Sequence, residues 1–102
     1  MGKAWKMKVF FHPQAEAEFN EAIDYYEGIE PYLGYDFALE VHLAIQRAVE
    51  FPEAWPVLEG DIRRSLVKRF PYGILYSAEQ DGIFVVAVMN LYREPGYWKQ
   101  RK

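Results

Sequence analysis

The stretch that decides the fold is VVAVMNLYREPGYWKQR, residues 85–101. Its first part, residues 85–89, is entirely apolar, whereas residues 90–98 mix aromatic side chains with an arginine, a proline and a glycine. A β-branched, apolar run of this kind is typical of a central strand that is covered on at least one face. We therefore expect a strand over Ile83–Asn90, with residues 90–98 held at its end as a recognition edge.

Two further strands precede this one along the chain. Asp81-Gly82 is a strong hairpin signal, so the strand before it is expected to be an antiparallel neighbour. That strand is predicted over Tyr72–Ala78, with alternating large residues, and another over Ile62–Phe70. The segment FPEAWPVLEGD before them, residues 51–61, is predicted to be a loop because two prolines and a glycine interrupt it.

The first half of the chain predicts one strand followed by two helices. Lys6–Phe11 alternates as a strand, and Pro13 suits the first turn of a helix that ends near Gly28. A second helix is predicted from Gly34 or Tyr35 to Phe51, where the next residue is proline. Each helix carries one apolar stripe, formed by Ala15, Phe19, Ala22, Ile23 and Tyr26 in the first and by Phe37, Val41, Ala44, Ile45, Ala48 and Phe51 in the second.

These elements predict an α+β domain of order β-α-α-β-β-β over residues 1–102. The linker between the helices is short, so we expect an antiparallel helical hairpin. Its two apolar stripes need a surface to cover, and a small, mostly antiparallel sheet provides one. A chain of 102 residues suits a single domain with one core.

Composition narrows the class of protein. Apolar residues make up 51% of the chain and there is no cysteine, which indicates a globular protein without disulfides or thiolate metal sites. No apolar run is long enough to span a bilayer or to serve as a secretory signal, so a cytoplasmic location is expected. The net charge of −3 is uneven, because residues 1–59 carry −7 and residues 60–102 carry +4. Two faces of opposite potential are one interpretation, and a chance distribution of solvating charges is the other.

Signatures of catalysis are scarce. The sequence has no glycine-rich phosphate loop, no Gly-x-Ser-x-Gly and no His-Glu-x-x-His. His12 and His42 are far apart in the predicted elements, and the glutamates of the first helix are expected to solvate its polar face. No metal site and no cofactor are therefore predicted.

Basic residues give the clearest hint of binding. Arg64 and Lys68 fall on one face of a predicted strand and Arg63 and Arg69 on the other. One face is expected to lie under the helices, and the other to form a concave basic patch joined by Tyr76, Tyr92 and Arg93. Such a patch suits RNA through phosphate pairing and base stacking, or an acidic peptide segment of a protein partner. An ordinary polar sheet face is the third interpretation.

The order of elements and the string RRSLVKRFPYGILYSAEQDGIFVVAVMNLYREPGYW, residues 63–98, resemble the RelE/ParE toxin superfamily. HPQAEAEFNEAIDYYE, residues 12–27, is similar to the opening of that family. The resemblance extends over nearly the whole chain from Met7, and implies a small toxin that a cognate antitoxin wraps and neutralises. RelE-like members cleave messenger RNA in the ribosome without a metal, and ParE-like members inhibit DNA gyrase through protein contacts.

Residue by residue, the resemblance favours the ParE-like, plasmid-stabilisation branch. The nuclease pattern has an arginine where this chain has Gly73, and its strand lysine falls on Leu66, beside Arg64. Arg93 matches the arginine that follows the last strand. The terminal tyrosine of the pattern falls near Lys99, and Tyr97 substitutes for it only after a small shift. Many relatives have a histidine near the strand end that is occupied here by Asn90, which hydrogen-bonds but is no general acid or base at neutral pH.

The leading hypothesis is a ParE-like toxin that acts by binding a target such as DNA gyrase. The alternatives are a RelE-like nuclease acting on ribosomes and messenger RNA, and an inactive interaction module of the same fold. The predicted catalytic residues, if the protein is a nuclease, are Arg64, Arg69, Arg93 and Tyr97. The predicted binding residues are Arg64, Arg69, Tyr76, Asn90, Tyr92 and Arg93. The sequence leaves the oligomeric state and the natural start codon, Met1 or Met7, open.

Overall fold

A computed structural model describes residues 8–101 of the chain. Five strands form one sheet of order β1-β5-β4-β3-β2, in which β1 runs parallel to β5 and every other neighbouring pair is antiparallel. Two helices follow β1 as a hairpin. The bounds are β1 Lys8–Phe11, α1 Pro13–Ile29, α2 Leu33–Glu50, β2 Val57–Glu59, β3 Ile62–Leu66, β4 Tyr72–Glu79 and β5 Gly82–Asn90, followed by a short 3₁₀ helix, Lys99–Arg101.

Local chemistry explains where the helices begin and how closely they pack. Pro13 starts α1, and the preceding His12 caps it by accepting a hydrogen bond on Nδ1 from the Gln14 backbone N–H at 3.0 Å. Near the start of α2, Gly34 packs so closely on α1 that a Cβ atom would lie 2.6 Å from the Ile23 carbonyl oxygen. Glycine at this position therefore sets the separation of the two helices.

Apolar side chains fill both faces of the sheet. The face under the helices carries the larger core, in which Phe37 of α2 contacts the rings of Phe19, Tyr26, Phe70 and Tyr72. The opposite face is covered in part by the segment after β5, and the side chain of Trp98 is only 6% exposed there. This second cluster also contains Ile62, Leu75, Phe84, Val86, Ala87, Met89 and Tyr97.

The predicted α+β architecture is confirmed, with two helices packed on a mostly antiparallel sheet. Two boundaries differ. The predicted loop contains the short strand β2, which the turn at Gly60, with φ of 59°, directs back along β3. The strand predicted to reach Phe70 ends at Leu66, because Arg69 takes a left-handed conformation with φ of 72° in the turn that leads to β4. Lys6 and Met7, predicted in the first strand, and the alternative start residues lie outside the described residues.

Neither α1 nor α2 is both long and apolar enough to cross a membrane.

Candidate binding surface

One edge of β5, the second strand of the sheet, is only partly covered by a neighbouring strand. β1 pairs with Gly82–Val85 alone, so within residues 8–101 the second half of β5 has no strand neighbour on that side. Two side chains bind backbone groups there instead. Glu18 of α1 accepts a hydrogen bond from the Val88 backbone N–H at 3.0 Å, and Arg101 donates one to the Val86 carbonyl at 3.2 Å. These contacts satisfy backbone groups that an additional strand would otherwise pair.

Glu18 is the centre of a charged group that we call the edge cluster, formed by Glu18, Arg93, Tyr97 and Arg101. Its Oε2 atom lies 2.8 Å from an Arg101 guanidinium nitrogen and 3.8 Å from one of Arg93. The Glu18 and Arg101 side chains are 14% and 10% exposed, so this ion pair is largely withdrawn from water. Burial acts to lower the pKa of Arg101, but the Glu18 carboxylate outweighs it and the pKa is raised.

The ring of Tyr97 completes the edge cluster. Two cations lie close to it, with the Arg93 guanidinium carbon 3.9 Å and the Arg101 guanidinium carbon 4.9 Å from its centroid. Its hydroxyl is buried and makes no hydrogen bond of regular geometry among the described residues. Burial, reinforced by the nearby Glu18 carboxylate, raises the pKa of Tyr97 well above the usual value for tyrosine. Tyr97 therefore stays a neutral phenol near pH 7.

A tight turn after β5 positions the remaining predicted residues of this region. The Asn90 side-chain oxygen accepts a hydrogen bond from the Tyr92 N–H at 2.9 Å, and the Asn90 carbonyl accepts one from the Arg93 N–H at 3.0 Å. Tyr92 projects outward and is 87% exposed. Asn90, Arg93 and Tyr97 line one cleft of about 170 Å³ beside Tyr25 of α1. The structure thus brings Asn90, Arg93 and Tyr97 together, with Tyr92 beside them.

The other predicted residues do not join this surface. Arg69 faces α2, 3.6 Å from Asp36 and 3.8 Å from Glu40. Arg64 lies on the sheet face opposite the helices, because its neighbour Ser65 points to α2 and donates a hydrogen bond to the Ala44 carbonyl at 2.9 Å.

The predicted position of Tyr76 is wrong. It was predicted on the exposed basic patch, but its side chain is 0% exposed in the core beneath the helices. Its hydroxyl donates a hydrogen bond to the Pro52 carbonyl at 2.8 Å, and burial raises its pKa to about 12, an effect that Arg63 partly opposes. The alternation in β4 correctly places Tyr72, Ile74 and Tyr76 on one face, but that face is the one the helices cover. In this structure Tyr76 has no accessible surface for a partner.

The space beside the Cα atom of Gly73 is filled by the side chain of Arg64. A Cβ atom at Gly73 would lie 2.9 Å from Cδ and 3.0 Å from Cγ of Arg64. The aliphatic part of Arg64 therefore fills the space above this glycine, where the nuclease pattern has an arginine. A cation at position 73 requires displacement of Arg64.

The described side chains offer little for proton transfer or metal binding. A general base works best with a pKa near the working pH, whereas the pKa values of Tyr76 and Tyr97 are raised away from neutrality. Glu18 is engaged by a backbone N–H and by Arg101. Residues 8–101 contain no group of three His, Asp or Glu side chains that could hold a metal ion. The arrangement is suited to recognition through charge and exposed aromatic surface.

Two members of the edge cluster were missed by the sequence analysis. Glu18 was assigned to a solvating helix face, and Arg101 was given no role. The two residues are 83 positions apart, and no local pattern connects them. The only available signal was the position of Glu18, one residue before Phe19 of the apolar stripe, where a side chain can reach the sheet margin.

No protein-family model matches the sequence, and no curated protein is significantly similar to it. A chain of the chromosomal ParDE toxin–antitoxin system from P. aeruginosa is similar in structure, with a TM-score of 0.71. The likeness covers 84% of this chain and 97% of that chain, at 16% sequence identity. At that identity it establishes the fold, and the fold is the one that the RelE/ParE resemblance predicted: this protein has the α+β fold found in the ParDE toxin–antitoxin system.

Proposed function

We propose that this protein is the toxin component of a type II toxin–antitoxin system, that it is ParE-like, and that it acts by binding a protein target such as DNA gyrase. A cognate antitoxin neutralises it, and the proposed target places its action in the cytoplasm. The observation that carries the proposal is the structural likeness, which spans 97% of a chain from the ParDE system.

The use of the cations supports binding rather than RNA cleavage. Arg69 lies near Asp36 and Glu40, and Arg93 and Arg101 share the single carboxylate of Glu18, so part of their charge is compensated within the molecule. Electrostatic stabilisation of phosphoryl chemistry needs cations directed at the reacting phosphate. Position 73 supplies none, and the space above it holds the stem of Arg64.

Tyr92 is the side chain best placed for recognition. It is 87% exposed at the end of β5, on a turn fixed by two hydrogen bonds to Asn90. Tyrosines of this kind are frequent among the residues that dominate the affinity of protein interfaces. We therefore assign Tyr92, with Asn90 and Arg93 beside it, to the contact surface for the target.

Induced expression of the protein in a bacterial host, with DNA supercoiling by purified gyrase and messenger RNA cleavage measured in parallel, tests this proposal. The expected result is growth arrest and inhibited supercoiling with intact messages. Tyr92→Ala is expected to weaken inhibition by about tenfold or more. Tyr35→Ala, which removes a tyrosine that is 67% exposed on α2, is the matched control and should leave inhibition unchanged.

Other results overturn the proposal. Messages cut at ribosomes would identify a RelE-like nuclease, for which the proximity of Arg93 to Tyr97 is the supporting observation. Normal growth with neither effect would identify an inactive interaction module of the same fold.

A further inference from the structure

A second surface lies at the other end of the sheet, between α2 and the β2–β3 edge. It is a groove of about 270 Å³, which we call the basic groove, lined by Arg47, Trp55, Leu58, Arg64, Leu66 and Lys68. Small-molecule sites usually enclose about 300–1,000 Å³, so this groove is at the lower limit for a whole ligand and suits a few side chains of a larger partner.

The charges of the basic groove differ from those elsewhere in the molecule. Arg47, Arg64 and Lys68 line it without any carboxylate, and none of the three takes part in the salt bridges seen among residues 8–101. Arg47 donates to the Leu66 carbonyl at 3.1 Å, which leaves its charge uncompensated. The carboxylate of Glu59, on the adjacent edge strand, is paired with Lys99 at 3.0 Å. An anionic partner therefore meets three cations and no competing acid in the lining.

Apolar surface and an unpartnered donor accompany these cations. Leu58 and Leu66 are 41% and 52% exposed at the sheet edge. The indole Nε1 of Trp55 is buried and has no hydrogen-bond partner among the described residues. Its resonance therefore reports on changes in the wall of the groove.

The loop that carries Trp55 is held in place by the core. Arg63 donates hydrogen bonds to the Glu53 carbonyl at 3.2 Å and the Trp55 carbonyl at 2.7 Å. Tyr76 fixes the start of the same loop through the Pro52 carbonyl at 2.8 Å. A groove organised before binding loses less conformational entropy when it is occupied.

We propose that the basic groove binds an acidic, leucine-bearing peptide segment of a partner protein. Its apolar side chains contact Leu58, Leu66 and Trp55, and its carboxylates lie against the three cations. The exposed leucines favour a peptide over a nucleic acid, because base stacking needs open aromatic faces and the one aromatic side chain in the lining, Trp55, is partly buried. The chemistry of the groove does not depend on the proposed function, and the antitoxin is the partner that the proposed function would supply.

The test uses ¹⁵N-labelled protein and a short acetylated peptide that alternates glutamate and leucine. The indole N–H resonance of Trp55, assigned with Trp55→Phe, is followed during titration and is expected to shift. Lys68→Glu and Arg64→Glu are each expected to weaken binding by about tenfold, because each reverses one of the three charges. Lys8→Glu, on β1 at the other edge of the sheet, is the matched control and should bind as the parent does.

Comparison probes make the result decisive. A lysine–leucine peptide or a glutamate–serine peptide that binds equally well would overturn the proposal, because charge or apolar contact would then be dispensable. A uridine oligonucleotide that shifts Trp55 more strongly would identify a nucleic-acid site. A shift that depends on protein concentration alone would identify self-association. All these readouts are independent of growth and supercoiling, so this proposal and the proposed function can fail separately.

Discussion

The two ends of the sheet use basic residues in opposite ways. At the edge cluster, Glu18 holds two arginines, and one of them, Arg101, is only 10% exposed. At the basic groove, the cations have no carboxylate among the lining residues. In the edge cluster, Glu18 and Arg101 bind backbone groups on the open side of β5, whereas the cations of the groove have no carboxylate beside them in the lining.

This difference teaches that a basic residue near a sheet is informative about binding only when its partners are known. Arg69 and Arg93 were both predicted to bind, and both have carboxylates within 4 Å. Lys68 received less weight in the sequence analysis, yet it lines the groove and forms no salt bridge with another residue in the range 8–101. If the contrast is correct, substitutions at the two ends have different consequences for stability and for binding.

The largest effect is expected from Glu18→Ala. This change leaves the buried Arg101 without its anion and the Val88 N–H without its acceptor, and it is expected to lower the free energy of unfolding by about 3 kcal/mol. Urea unfolding near pH 7, followed by far-UV circular dichroism, measures this loss.

Two controls define the comparison. Asp24→Ala removes an exposed carboxylate from the same helix, and Lys68→Ala removes a cation from the basic groove. Each should change the free energy of unfolding by no more than about 0.5 kcal/mol. A loss from Lys68→Ala as large as that from Glu18→Ala would show that both ends serve stability, and would remove the contrast.

An intermediate effect is expected at alkaline pH, because one tyrosine at each end has a raised pKa. Tyr76 ionises at about pH 12 in the folded protein, whereas unfolded tyrosine ionises near pH 10. Its contribution to stability is therefore complete below about pH 10 and is lost as the pH rises toward 12, with a decrease of about 1 kcal/mol by about pH 11. Urea unfolding at about pH 8 and pH 11 measures the decrease.

Two single substitutions test how much each end of the sheet contributes to this decrease in the free energy of unfolding. Tyr76→Phe should reduce the part of the decrease in the free energy of unfolding that comes from the groove end of the sheet. Tyr97→Phe keeps the ring near its two guanidinium groups. It should reduce the part of the pH-dependent loss of stability that comes from the edge cluster. A pH dependence that neither substitution alters would contradict the assignment.

The smallest effect concerns the contact between Gly73 and Arg64. Gly73→Ala is expected to be nearly neutral in the parent, because its Cβ must displace the Arg64 stem. In an Arg64→Ala background the same change should stabilise the protein by about 0.5–1 kcal/mol, because the site is then open and the unfolded chain is less flexible.

Gly28→Ala is the matched control for this pair of measurements. A Cβ at Gly28 in α1 meets no atom within 4 Å, so its effect should be equal in both backgrounds. Equal effects of Gly73→Ala in both backgrounds would show that Arg64 does not occupy the space above the glycine.

Sequence periodicity was sufficient to predict the helices and strands that bury a continuous apolar stripe. Phe37, Val41, Ala44, Ile45 and Ala48 of α2 recur at helical spacing and are buried as predicted, whereas Phe51, predicted in the same stripe, follows the helix and is 62% exposed. The run Ile83–Met89 forms most of β5 for the same reason, but the middle strand of the sheet is β4, and not β5 as the sequence had indicated. Residues 57–59 escaped prediction because a three-residue edge strand between Pro56 and Gly60 buries nothing and has no period to detect.

The site was harder to predict because it depends on contacts between distant residues. Nothing local distinguishes Glu18 from the exposed Glu16 and Glu21 until Arg101 is positioned beside it. The sequence was equally insufficient to predict whether Tyr76 lies on the buried or the exposed face of the sheet. Alternation groups side chains on one side of a strand, but only the placement of the helices decides which side is buried.

The parallel pairing of β1 with β5 also has a consequence for how the chain acquires its structure. Val9 pairs with Ile83, and Glu18 reaches Val88 across 70 positions, so the sheet joins the beginning of the described chain to a region near its end. Closing such long loops is entropically slow compared with forming the helical hairpin. A nascent chain therefore carries its helices before it has a completed sheet. The turn that presents Tyr92 becomes ordered only after β5 has left the ribosome and joined the sheet.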